Sequence, residues 1–255
     1  MLEPKRNTFQ AVGPVGAEEE LPATIVARYQ RLRSVFGALD GLELLQAMHA
    51  EFGPRIAIVS SFGAHSAVIL DMAARIDPTM AVIFLQTGKL FAETLEYRRM
   101  LARKLGLANV REVEPSPAAV QDADPHGSLW RADPDACCAL RKVAPLDAAL
   151  VEFDAWVTGR KRYQGGERML LPPIELSAGK IKLNPLATWS SEQVQAYLTD
   201  RDLPSHPLYG HGYLSLGCVP CTRRVEAGQL ERDGRWPQHA KTECGIHRPY
   251  FDKDY

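Results

Sequence analysis

Five cysteines offer the most reactive side chains in this sequence. They fall as an adjacent pair, Cys137-Cys138, then as Cys218-Val219-Pro220-Cys221, then alone as Cys244. Disulfide frameworks belong to exported chains and use even counts. An odd number, in a sequence whose first residues carry Pro, Glu and Arg rather than an apolar signal core, points instead to metal ligation or thiol chemistry. Four thiolates, from Cys137, Cys138, Cys218 and Cys221, could hold one metal centre. Zinc, an iron–sulfur cluster and plain buried thiols are the three readings. Adjacent cysteines diverge along the backbone and would strain a single tetrahedral ion, whereas a [4Fe–4S] cube presents separate irons at separate corners, which favours the cluster. Cys244 is then left over. It sits near Lys241 and His247, and a positive field there would draw a thiol toward thiolate.

A second candidate is the turn Ser60-Ser61-Phe62-Gly63-Ala64, which follows the apolar run Ile56–Val59 and precedes a helical pattern. Unpaired N–H groups at a strand-to-helix turn, with the helix dipole behind them, suit a phosphate. Neither G-x-x-x-x-G-K-[ST] nor G-x-G-x-x-G occurs in the chain, so this is neither a Walker A loop nor a dinucleotide fingerprint.

These residues must be positioned by a scaffold, and the 255-residue chain is long enough for one large domain. It is 45% hydrophobic and 24% charged, as ordinary globular proteins are. Residues 1–22 lack apolar periodicity and read as a mobile tail. Helical spacing covers Ala23 to about Phe52 with a break at Gly41, then about His65–Ile76, about Phe91–Leu105 and about Ser191–Arg201, the last capped by Ser190 or Ser191. Strands are expected at Ile56–Val59, Ala81–Leu85, Val110–Val113, Ala155–Thr158 and Lys180–Leu183. Apolar strands alternating with helices predict an α/β single domain with a mainly parallel twisted sheet flanked by helices, plus a loop-rich C-terminal segment. Thirty Lys and Arg against thirty-one Asp and Glu give a net charge of −1. That balance argues against nucleic acid or a membrane surface held by bulk charge, so an anionic partner must meet a local cluster. No run reaches the roughly 18 apolar residues of a membrane span, and a cytoplasmic location is the expectation.

Three segments together resemble the iron–sulfur adenylyl-sulfate reductases of the wider family of adenylyl-sulfate and 3′-phosphoadenylyl-sulfate reductases. They are Cys137-Cys138-Ala139-Leu140-Arg141-Lys142-Val143, Gly217-Cys218-Val219-Pro220-Cys221-Thr222-Arg223 and Lys241-Thr242-Glu243-Cys244-Gly245-Ile246-His247. Weaker similarity lies in the Ser60–Ala64 turn, in Leu85-Gln86-Thr87-Gly88 and in Lys182-Leu183-Asn184-Pro185-Leu186. Gln86 departs from the family's Asp, which puts nucleotide geometry in question.

The resemblance implies an adenine nucleotide alpha hydrolase-like fold, with a nucleotide-binding reductase domain at 23–235 and a segment, 236–255, that carries the nucleophile. It implies one [4Fe–4S] cluster per chain on Cys137, Cys138, Cys218 and Cys221. Cys244 would attack adenylyl sulfate, releasing AMP and forming an S-sulfo adduct that thioredoxin or a similar dithiol protein then resolves to sulfite. Lys142 and His247 would assist it. Ser60, Ser61, Phe62, Gly63, Leu85, Thr87, Gly88, Arg160, Arg223 and Arg224 would bind substrate, with Lys161 and Arg162 as weaker basic candidates. A homo-oligomer is compatible with all of this. Rival readings are the 3′-phosphorylated substrate, an ATP-pyrophosphatase-type tRNA sulfurtransferase, and a nucleotide-binding redox sensor.

Overall fold

The computed structural model describes residues 22–247. The expected tail lies outside them except for Pro22, as does the end of the nucleophile segment, residues 248–255. Helices α1 (Ala23–Phe36) and α2 (Gly41–Phe52) precede the first strand, β1 (Ile56–Val59). Then α3 (Ser66–Ile76), β2 (Ala81–Leu85), α4 (Ala92–Leu105) and β3 (Val110–Val113) alternate. Four short helices follow: α5 (Pro117–Ala123), α6 (Leu129–Ala132), α7 (Pro134–Cys138) and α8 (Ala144–Ala149). The chain then forms β4 (Ala155–Val157), the hairpin β5 (Ile174–Ser177) and β6 (Lys180–Leu183), and α9 (Ser191–Asp200). Ser190 caps α9 and Gln193 reaches back to it, a reciprocal capping box.

The six strands order as β3-β2-β1-β4-β6-β5, parallel except for β5 against β6. The apolar strands are buried on both faces because period-two alternation sends neighbouring side chains to opposite layers. Ile56, Ile58, Val82 and Phe84 pack with Leu44, Leu45, Met48 and Val68 on one side. Ala57, Ala81, Ile83 and Trp156 pack with Leu146, Leu150 and Phe153 on the other. Strand order runs outward from β1 in one direction and resumes at β4 on its other flank. The carboxyl ends of β1 and β4 therefore form the crevice where ligands bind in such sheets.

Strand β5 is an addition to the sequence-based expectation. It is only four residues long, Ile174–Ser177, directly after Pro172-Pro173, and the turn joining it to β6 places both Ala178 (φ 50°) and Gly179 (φ 71°) at positive φ. That is the geometry of a type I′ hairpin, in which Ala is a weak signal. No described helix is long and apolar enough to cross a membrane.

Candidate active site

One cavity lies over the carboxyl ends of β1, β2 and β4. Its wall includes Ser60, Ser61 and Gly63 after β1, Leu85 and Thr87 after β2, and Thr158 to Lys161 after β4. Ser60 Oγ accepts the Phe62 N–H at 3.1 Å, which turns the chain sharply. Phe62 takes a positive φ of 48° there, a conformation that costs an L-residue about 1–2 kcal/mol. Its ring offsets that cost by full burial, edge-on to Phe84 with centroids 5.5 Å apart. Phe62 thus shapes the turn from the core and does not line the cavity. Gly88 is exposed and also stands outside it. Gln86 Oε1 accepts the Gly88 N–H at 3.1 Å, so this side chain closes its own turn and lines no part of the cavity. An acid at this position could accept the same N–H, which accounts for how the departure is accommodated.

Positive charge is concentrated around this cavity. Lys142, Arg160, Lys161, Arg168, Arg232 and Arg235 line it, and Glu243 is the only carboxylate among the lining residues. In a chain of net charge −1 this is a local excess, and it defines a site for an anion. The six cations are not equivalent. Arg160 is ion-paired with Glu175, which also lies 3.2 Å from the buried Lys182. Desolvation lowers Lys161 to about 8, opposed by the charge of Glu231. Arg168 binds Glu243 through two nitrogens, at 2.6 and 2.9 Å, and Arg232 binds the same carboxylate at 3.2 Å. Burial opposes the charge on Glu243, yet Arg168 and then Arg232 hold it down at about 2. Arg235 donates to the Leu216 carbonyl at 3.1 Å and lies over the Trp236 ring at 4.4 Å.

Arg223 and Arg224 point elsewhere. Both are exposed, and Arg224 lies over Tyr213, 5.7 Å from the ring centroid. The exposed Arg162 donates to the Leu171 carbonyl at 2.8 Å, outside the cavity wall. No sequence signal separates Arg168 from surface arginines. Nor does one separate Arg232 and Arg235, which lie in the turns upstream of Cys244.

Cys244 sits at the cavity wall beside Lys142. It is held well below the ordinary thiol range, first by a hydrogen bond from Cys138, against burial, and then by Lys142, the Ile246 N–H and Arg235. Cys138 is pushed up correspondingly, by that same bond and by burial. Lys142 follows α7 on a π-helical turn, Ala139–Val143, and is held above its usual range because Cys244, Cys218 and Cys138 outweigh its desolvation. Such turns often mark functional sites. His247 stacks on Trp156 with ring planes 4° apart. Its environment disfavours protonation, first through burial and then through Arg160, Lys182, Arg168 and Arg232. The His247 backbone N–H donates to the Cys244 carbonyl at 3.0 Å, which ties the ring's position to the cysteine.

The other four cysteines are buried and free of disulfides. Asp133 caps α7 by accepting the Asp135 and Ala136 N–H groups at 3.0 and 2.9 Å. This presents Cys137 and Cys138 at the helix end. Cys218 and Cys221 flank a tight turn tied to the loop after β2, where Val219 N–H meets the Lys89 carbonyl at 2.8 Å and Thr87 Oγ1 lies 3.3 Å from Cys218 Sγ. Burial and the charges of Cys218 and Cys221 push Cys137 up; burial and Cys218 push Cys221 up. Two cysteines at the end of α7 and two at the Cys218–Cys221 turn, all buried, form a donor set of the kind that suits a thiolate-ligated centre. Among the described residues no three His, Cys, Asp or Glu are arranged to close on a single metal ion.

Residues 55–224 match the phosphoadenosine phosphosulfate reductase domain. The chain is 47% identical over 224 residues to the adenosine 5′-phosphosulfate reductase of Mesorhizobium japonicum, covering 88% of each. It is 39% identical over 201 residues to the phosphoadenosine 5′-phosphosulfate reductase of Gloeobacter violaceus, covering 77% of this chain and 83% of that protein. The crystal structure of phosphoadenylyl-sulfate reductase from Candida auris, a phosphate complex, superposes with a TM-score of 0.64 at 30% identity, over 78% of this chain and 97% of that one. FMN adenylyltransferase from Candida glabrata, 17% identical with a TM-score of 0.52, shares the fold. The chain belongs to the phosphoadenosine phosphosulfate reductase family.

Proposed function

We propose that this protein reduces adenylyl sulfate to sulfite and AMP in sulfate assimilation, a reading supported by its Mesorhizobium relative, which is named an adenosine 5′-phosphosulfate reductase. The observation that carries the reading is the cavity lined by six cations and one carboxylate, with Cys244 in its wall together with Lys142. Cys244 Sγ⁻ would attack the sulfate sulfur. An S–S bond forms, the S–O bond to phosphate breaks, and the phosphate oxygen of AMP leaves with the electron pair. Two anions meeting an anionic nucleophile repel, and Lys142, Arg232 and Arg235 are placed to offset that repulsion without reorganising. The turn after β1 would meet the nucleotide phosphate through the N–H groups it has not already used, since Ser60 N–H donates to the Ile83 carbonyl, Phe62 N–H to Ser60 Oγ and Ser66 N–H to the Gly63 carbonyl. A thioredoxin-type dithiol then supplies both electrons, freeing sulfite, in a cytoplasmic setting.

Cys137, Cys138, Cys218 and Cys221 would hold a [4Fe–4S] cluster, whose positive irons would neutralise four buried thiolates and tune the field near Lys142. The 3′-phosphorylated substrate is the second reading, favoured by the name of the Gloeobacter relative; the ratio of kcat/KM for the two nucleotides decides between them. The primary test is incubation with adenylyl sulfate and no reductant. A gain of roughly eighty daltons, one SO₃, is expected on the peptide carrying Cys244. Its absence would overturn the reading.

A further inference from the structure

A carboxylate carries the wrong charge for this cavity. The cations that line it are placed where an anionic nucleophile has to meet an anionic substrate, and Glu243 stands among them, one residue before that nucleophile. By Coulomb repulsion it opposes both partners. Its presence there needs a benefit other than charge.

The hydrogen bonds provide that benefit. Glu243 Oε2 accepts Arg168 Nε at 2.6 Å, while Oε1 accepts Arg168 Nη2 at 2.9 Å, Arg232 Nη2 at 3.2 Å and the Cys244 backbone N–H at 2.9 Å. One carboxylate thus joins two cations of the cavity wall to the main chain of the nucleophile. Arg232 also donates to the Thr242 carbonyl at 2.6 Å, so the peptide before Glu243 is held from the same wall. Arg168 is itself fixed, with its side chain 9% exposed and Nη1 donating to Gln164 Oε1. A forked guanidinium–carboxylate pair sets direction as well as distance. Burial opposes the charge on Glu243, but the two arginines hold it at about 2, so the anchor stays ionised at any working pH. Beyond Cys244 the segment is anchored by other means, with Ile246 packed on the layer that contains Trp156 and His247 stacked on that ring.

We propose that Glu243 is a positioning residue for the sulfur transfer: it ties the main chain of Cys244 to the Arg168 and Arg232 wall and so sets the distance and direction of the thiolate's attack, while itself touching neither substrate nor the bonds that change. This deepens the proposed function and rests on it. Displacing an attacking atom by about 1 Å costs on the order of 10²-fold in rate. Glu243→Gln keeps the length of the side chain but turns an amide N–H group toward a guanidinium donor or toward the Cys244 N–H, so the full set of bonds cannot form.

The test uses full-length protein without reductant. Formation of the Cys244 adduct is followed by quenched mass spectrometry over a range of adenylyl sulfate concentrations, and AMP binding is measured by calorimetry. Glu243→Gln should lower the maximal rate about 10–100-fold. The half-saturating concentration and the Kd for AMP should stay within about threefold of wild type. Hydrogen exchange in the peptide spanning 241–247 should quicken, because the Cys244 N–H loses its acceptor. Arg168→Gln should also slow the maximal rate, and the double variant should be no slower than the slower single one, since either change breaks the same anchor. A role as a bare charge has the opposite sign, with faster adduct formation or tighter AMP binding once the carboxylate is removed. That outcome, unchanged exchange, a loss of rate traced to weakened binding, or additive losses in the double variant would overturn the proposal. Failure of the wild type to form any adduct would instead overturn the proposed function.

Discussion

The ion pair Asp124–Arg141 offers a sharp test of how the cysteine pairs are brought together. Arg141 follows Cys138 by three residues and is 7% exposed; Asp124 is 4% exposed. Arg141 gives Nη2 and Nε to Asp124 Oδ2 at 2.7 and 3.2 Å and Nη1 to the Thr87 carbonyl at 2.9 Å, while Thr87 Oγ1 contacts Cys218. One guanidinium thus joins the helix of the first cysteine pair to the loop that holds the second. Desolvation opposes the Asp124 charge, yet the Leu129 N–H and Arg141 keep its carboxyl below the usual range. Asp124→Asn keeps the shape and the acceptor for Leu129 but leaves Arg141 as a buried, uncompensated cation. Breaking a buried pair from one side costs about 3–5 kcal/mol, and the retained amide oxygen puts this change near the lower end, about 3 kcal/mol. At roughly 2–4 °C per kcal/mol for a chain of this size, Tm should fall by about 6–12 °C. Thermal and urea unfolding measure it. Asp124→Asn combined with Arg141→Met removes both charges while keeping the acceptor for Leu129, and should recover part of the loss. A single variant as stable as wild type, or a double variant no better than the single, would refute the reasoning.

Lys142→Met keeps length and removes the charge beside Cys244, and should slow adduct formation by about 10²–10³-fold in a single-turnover assay without reductant. Gly217→Ala would set its Cβ 2.3 Å from Arg235 Nη2 and 2.7 Å from Cζ, so the guanidinium must shift within the cavity; KM for adenylyl sulfate should rise several-fold with Tm changed little. For acid stability, burial lowers His65 to about 3 and His206 to about 4. Below about pH 6.5 the unfolded chain takes up protons that these rings refuse, so stability present at pH 7 is lost as pH falls toward those values. Between pH 7 and 5 each should cost on the order of 2 kcal/mol. The slope of stability against pH, measured by urea unfolding, should flatten in His206→Gln.

The parallel core was legible because strands buried on both faces cannot hide: Ile56–Val59 and Ala81–Leu85 are unbroken apolar runs, and they pair in parallel as neighbours. Edge strand β5 was not: Ile174-Glu175-Leu176-Ser177 alternates apolar and polar residues, but four residues directly after Pro172-Pro173 are too short a signal to stand out. The site divides along the same line. Cysteines are rare enough that spacing alone marks them, and the turn after β1 is marked by its place between a strand and a helix. Arginines are common, and what sets Arg168, Arg232 and Arg235 apart from Arg223 and Arg224 is only where the C-terminal loops fold back. Arg223 and Arg224 adjoin the second cysteine pair in sequence yet face solvent. Arg168 lies far from every motif and becomes part of the site through Glu243, the residue before the nucleophile. Chain proximity is a poor guide here because Coulomb attraction acts through space, and the carboxylate that gathers these cations is carried by the segment they must hold in place.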